Sequence, residues 1–167
     1  LKRKSCLKII EDGTYEYTVT IKTVYRGQEA FQKLLQTDQS NATPATGTEF
    51  LLAYVSIRYL KGTVPSVLTI SSSNFSTFSQ GHLFGIPQLE FAPYPYLTYE
   101  ELRPTDAIEG WLVLQIYSGE KYPVITLGNL YAYTADGLLY FAAYPRKMTG
   151  VLHVVNIPSS DRILPNG

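Results

Sequence analysis

Apolar and polar side chains alternate without a break from Tyr15 to Lys22. Tyr15, Tyr17, Val19 and Ile21 fall on one side, and Glu16, Thr18, Thr20 and Lys22 on the other. A period of two predicts a strand with one buried and one wet face, and Asp12-Gly13 supplies the turn before it. After Gly27 the period lengthens. Phe31, Leu34 and Leu35, at i, i+3 and i+4, predict a short helix within residues 28–36. So short a helix persists only when packed against the strands. Residues 37–47, rich in Ser, Asn, Thr, Pro and Gly, predict a loop. In residues 49–60, Leu51, Ala53, Val55, Ile57 and Tyr59 are the expected core positions. Phe50, Leu52 and Tyr54 make the opposite face apolar at its start, and Ser56 and Arg58 make it wet at its end. That pattern predicts a central strand partly covered on both sides.

Further along, residues 66–70 and 82–84 predict short strands, with a Ser-rich stretch over residues 71–81 between them. Residues 92–106 carry Pro93, Pro95 and Pro104 among tyrosines and predict a loop. Residues 109–117 are the second strong strand, and residues 124–127 restart the sheet. Residues 129–144 predict a hairpin turning at Asp136-Gly137. Residues 151–157 predict a last strand. Roughly seven to nine short strands with one small helix fit an all-β, immunoglobulin-like two-sheet β-sandwich, the helix following the first strand. Val19, Ile21, Val55, Ile57 and Trp111 are its expected buried side chains. The expected organisation is an N-terminal linker (1–12), one domain (13–157) and a C-terminal tail (158–167).

Composition narrows the classes. Val, Ile, Thr and the aromatics make up 59 of 167 residues, a surplus suited to a pleated, half-buried surface. Fourteen basic residues balance fourteen acidic ones. The apolar content argues against disorder, and the absent basic surplus argues against an electrostatic nucleic-acid binder. A single cysteine, Cys6, excludes an internal disulfide and any multi-cysteine metal site. The sequence begins at Leu1 rather than Met, so an upstream signal or anchor is expected outside it.

Candidate chemistry is sparse. The two histidines, His82 and His153, stand isolated in apolar stretches, with no motif pairing either with Cys6. Calcium would draw oxygen ligands from Glu100, Glu101, Asp106 and Glu109, which lack EF-hand spacing. Glu100 and Glu101 are adjacent, so an extended backbone sends them to opposite sides, unlike a glycosidase pair. Gly27-Gln28-Glu29 opens a helix that could offer amides to an anion, but it lacks repeated glycines and Glu29 would repel the ligand. Asn41-Ala42-Thr43 and Asn74-Phe75-Ser76 match the glycosylation sequon. The most suggestive segment is Pro93-Tyr94-Pro95-Tyr96-Leu97-Thr98-Tyr99. Tyrosines on a proline-stiffened loop offer large amphipathic contact area, suited to a glycan or protein. The bland alternative is that these rings fold back as a lid over the end of the fold.

Three segments taken together resemble a known family. They are Val24-Tyr25-Arg26-Gly27-Gln28-Glu29-Ala30-Phe31; then Asn41, Pro44 and Gly47-Thr48-Glu49-Phe50-Leu51-Leu52-Ala53-Tyr54-Val55; then Leu102-Arg103-Pro104 followed by Glu109-Gly110-Trp111-Leu112-Val113-Leu114. Their order is similar to the immunoglobulin-like domain of unknown function found in bacterial lipoproteins and secreted proteins. A glycine usual shortly before the Glu109-Gly110-Trp111 run is absent, and Thr105-Asp106-Ala107-Ile108 stands there. The resemblance implies an extracytoplasmic immunoglobulin-like sandwich and brings no catalytic residues. The expectation is therefore a non-enzymatic module of a cell-envelope or secreted protein, with Tyr94, Tyr96 and Tyr99 as binding residues and no metal or cofactor. Its expected partner is an envelope protein or glycan, not nucleic acid, and it would meet a membrane only through an anchor outside this sequence. A second reading places an enzyme or inhibitor site on the loops near residues 94–99, marked by a carboxylate or histidine converging there with a shifted pKa.

Overall fold

A computed structural model describes residues 4–10, 13–62, 67–87, 91–128 and 139–143. Strands β1 (Lys4–Ile10) and β2 (Gly13–Arg26) lead into helix α1 (Gly27–Thr37) and the long β3 (Thr48–Gly62). Then come β4 (Leu68–Ile70), a 3-10 turn (Ser72–Asn74), β5 (Phe75–Ser79), β6 (His82–Phe84), β7 (Glu100–Leu102), β8 (Ala107–Tyr117), β9 (Val124–Leu127) and β10 (Leu139–Ala142). The strands pair antiparallel in three sheets, ordered β1-β2-β3-β8, β10-β9-β5-β6 and β4-β7. The described residues are mostly β with one α-helix, as the alternation predicts.

The first sheet turns one face to a common core. Val19, Ile21, Leu51, Val55, Ile57, Leu112, Leu114 and Ile116 join Ile70 of β4, Phe75 of β5, Leu102 of β7, Ile125 and Leu127 of β9 and Phe141 of β10 in one buried cluster. The period of two in β3 places Leu51, Ala53, Val55, Ile57 and Tyr59 on this side, all fully buried. On the other face, Phe50 and Leu52 of β3 and Val113 of β8 bury against Ala30 and Leu34 of α1. Both faces of β3 are thus covered at its start, which is why its opening residues read as a continuous apolar run. In β2 the register shifts between Ile21 and Thr23. An extra residue there reverses the alternation, and Tyr25 lands on the helix side.

Local chemistry marks the junction of β2 and α1. Gly27 has φ +57, a left-handed conformation that glycine adopts without strain. The Arg26 guanidinium donates to Glu49 Oε1 through Nε at 2.8 Å and also through Nη2, tying the end of β2 to the start of β3. At the far end of the helix, Asn41 Nδ2 donates to the Leu34 carbonyl at 3.0 Å, beside the Asp38 amide on the same oxygen. One of the orphan carbonyls of a helix end is satisfied in this way.

Several expectations change. Residues 4–10, read as linker, form β1 in register with β2 from Lys4 opposite Val19 to Ile10 opposite Gly13. The helix therefore follows the second strand, not the first. The Ser-rich stretch contains β5, whose Ser76, Thr77 and Ser79 are buried. The predicted loop over residues 92–106 includes β7 and a parallel bridge from Tyr96 to Trp111. Trp111 leaves the main core and packs partly buried on the helix side of the sheet, because its neighbours Gly110 and Leu112 take the inward positions of β8. Of the predicted 129–144 hairpin, residues 139–142 pair with β9. Its Asp136-Gly137 turn and the strand predicted at residues 151–157 lie outside the described residues.

Candidate functional site

The 91–99 segment runs along the free edge of β8 and is fastened at three points. The Trp111 amide donates to the Pro95 carbonyl at 2.8 Å, and the Leu97 amide donates to the Trp111 carbonyl at 3.0 Å. The Leu97 side chain is fully buried in the main core. Gly110 makes this approach possible, since a Cβ there would stand 2.6 Å from the Leu97 nitrogen. At the start of the segment, the Phe91 amide donates to Asn41 Oδ1 at 3.3 Å. Asn41 is thus a buried bracket between the helix end and this loop, and the sequon asparagine is 5% exposed.

The three tyrosines point the other way. Tyr94 is 91% exposed, Tyr96 52% and Tyr99 64%, so their rings stand in solvent and not as a lid. Side-chain hydrogen bonds organise the end of the loop. The Tyr99 hydroxyl donates to Glu101 Oε1 at 3.3 Å, and Thr98 Oγ1 donates to Glu100 Oε1 at 3.0 Å. An anchored backbone has little freedom left to lose on meeting a ligand, which favours binding.

Beside this loop lies an aromatic row that sequence reasoning passed over. Trp111 lies beside both Tyr25 and Tyr54, with ring centroids 5.7 and 5.0 Å away and the planes tilted by 30° and 52°. Lys33 Nζ sits 4.1 Å from the Tyr25 centroid, within cation–π range. Lys22 donates to Glu109, and the Tyr54 hydroxyl donates to Glu109 Oε2 at 3.4 Å. The Lys22 ammonium, then the Ser56 hydroxyl, hold the Glu109 carboxyl below its ordinary value. The signal available in the sequence was positional and held for Tyr54 alone, which occupies the non-core phase of a strand whose core phase is evident, whereas Trp111 was expected in the core.

The remaining candidates disperse. His82 is exposed on β6, edge-on to Tyr117 and near the Gln80 carbonyl, away from any cysteine or carboxylate cluster among the described residues. His153 lies outside those residues, and Cys6 stands in β1 opposite Tyr17. Glu100, Glu101, Asp106 and Glu109 do not converge, and the described residues contain no group of three or more His, Cys, Asp or Glu suited to a metal ion. At the helix start, Glu49 Oε2 would lie 3.2 Å from a Cβ on Gly27, so the protein's own carboxylate occupies the ground an anion would need. A small hollow of about 220 Å³ opens between Ala42, Pro44, Phe50, Pro87 and Gln115. That is below the usual range for an organic ligand, roughly 300–1,000 Å³.

No family model, curated protein or solved structure matches the chain.

Proposed function

We propose that the chain is an immunoglobulin-like two-sheet sandwich serving as a non-enzymatic, extracytoplasmic binding module of a bacterial cell-envelope or secreted protein. It takes an envelope glycan or protein on Tyr94, Tyr96 and Tyr99. Two four-stranded antiparallel sheets contributing to one core support the architectural part of this reading. The extracytoplasmic part rests on the resemblance of the three segments around Arg26, Glu49 and Gly110. The observation that carries the binding part is the exposure of three tyrosines on backbone tied to β8 and anchored by Leu97.

Rings carried on an anchored backbone offer contact area without reordering the loop. Replacing Tyr94, Tyr96 and Tyr99 together by alanine is expected to abolish retention on isolated cell-wall material and to leave the melting temperature nearly unchanged. Retention equal to that of the unaltered protein would end this reading.

A further inference from the structure

The outer face of the first sheet continues the tyrosine loop. Tyr96 pairs in parallel with Trp111 across the edge of β8, and paired residues put their side chains on the same face. The aromatic row of Tyr25, Trp111 and Tyr54 therefore extends toward Tyr96. Helix α1 covers the Phe50, Leu52 and Val113 end of this face, and Tyr25 and Trp111 pack half-buried at the margin of that cover. Beyond Trp111 the face presents Thr20, Ser56 and Arg58, the positions of β2 and β3 that alternate with the core. A protein-docking surface concentrates apolar side chains at its centre and sheds charge there. This face instead interleaves ring faces with hydroxyls, ammonium groups and a carboxylate.

That mixture matches a sugar chain. The C–H faces of pyranose rings lie on aromatic planes, and their hydroxyls take donors and acceptors at the margins. The charge is also informative. Among the described residues two ammonium groups reach the rings, Lys33 at 4.1 Å from the Tyr25 centroid and Lys22 at 5.8 Å from that of Tyr54. Among the same residues one carboxylate reaches them, Glu109, and Lys22 and Tyr54 already engage it. Arg58 adds a further exposed cation on the same face of β3. This local positive surplus, in a chain of zero net charge, complements sparse carboxylates better than a dense run of phosphates, which demands many basic contacts.

We propose that this face binds a carboxylate-bearing glycan, with sugar rings stacked on Trp111 and Tyr54 and with Lys22 and Lys33 meeting its carboxylates. The inference rests on the binding-module reading and extends its site from the 94–99 loop onto the sheet. Trp111 is the only tryptophan, so its fluorescence reports on this face alone. The full chain is titrated with four probes: de-peptidated peptidoglycan strands, oligogalacturonate, a neutral cello-oligosaccharide and oligo-dT. At least one acidic glycan is expected to shift the Trp111 emission, binding about tenfold tighter than the neutral sugar. Oligo-dT is expected to leave the emission unchanged.

The double variant Lys22→Gln, Lys33→Gln changes side chains at the surface and should keep its melting temperature. It is expected to weaken the acidic glycan about tenfold while leaving the neutral sugar as it was. Silence toward both acidic glycans, equal binding of acidic and neutral sugars, or preference for oligo-dT would each overturn the inference. Silence of Trp111 combined with tyrosine-dependent retention on wall material overturns this inference and leaves the loop reading standing. Retention that survives loss of the three tyrosines overturns the loop reading, whatever Trp111 reports.

Discussion

Gly110 and Leu97 meet backbone to backbone, so that a Cβ on Gly110 would stand 2.6 Å from the Leu97 nitrogen and 2.7 Å from the Tyr96 carbonyl carbon. The contact brings the 95–97 backbone within hydrogen-bonding reach of Trp111 and seats Leu97 in the core. It holds the tyrosine loop to the sheet.

Gly110→Ala is therefore expected to push the loop off β8. The added methyl meets backbone, which cannot rotate aside, so an overpacking cost of about 1–3 kcal/mol applies. Urea denaturation should show a lowered midpoint, and limited proteolysis should cut within residues 91–99 faster than in the unaltered protein. An unchanged midpoint would show that the loop is not fastened there.

The other end of the same strand edge is closed by side chains. The Thr77 hydroxyl donates to the Gln115 carbonyl, and the Tyr117 amide donates to Ser79 Oγ at 3.2 Å. Both hydroxyls substitute for a neighbouring strand, so β8 does not offer those groups to another chain. Thr77→Val keeps the shape and removes the donor. The expected loss is about 1–2 kcal/mol, because the part-buried Gln115 carbonyl is left without its partner. The paired Thr77→Val, Ser79→Ala variant should also aggregate sooner by light scattering. Identical stability and scattering would mean that the edge needs no cover.

Acid should weaken the fold partly through Glu120. Its carboxylate accepts from the Tyr122 amide at 2.8 Å, the Gln80 amide at 2.8 Å and Ser79 Oγ at 3.1 Å, joining the β5–β6 turn to the segment after β8. The Tyr122 amide first, then the Gln80 amide and Ser79 hydroxyl, hold its pKa below the ordinary 4.5. A folded-state pKa below the unfolded one stabilises above the unfolded value, and the contribution is lost as pH falls through the folded value. Glu120→Gln should therefore cost below about 1 kcal/mol at neutral pH, given its solvent screening. It should also flatten the fall in melting temperature as pH drops below 4.5. A variant with the same acid slope as the parent would remove Glu120 from this role.

Alternation made much of the first sheet legible. The inward phases of β2 and β3, and the helix that covers Phe50 and Leu52, follow from residues a few positions apart. β5 was hidden for the opposite reason. Its inward positions are Phe75, Thr77 and Ser79, and the two hydroxyls are buried because they complete the edge of β8. A window over Phe75-Ser-Thr-Phe-Ser79 contains no trace of the carbonyl 38 residues away. The tyrosine loop was recognisable from its prolines and rings, but the aromatic row beside it was not, since Tyr25, Tyr54 and Trp111 belong to three separate strands.

The sequence by itself determined a mostly β chain with one helix and the inward side of β2 and β3. These are consequences of local period and residue type. Only the tertiary structure decided that Trp111 faces the helix side with Tyr25 and Tyr54, that Gly110 must lack a side chain, and that Thr77 and Ser79 are buried. The reason is physical. Alternation says which residues share a side of a strand, but the cover for each side, and the partner for each edge, comes from segments distant in sequence that meet only when the sheets close.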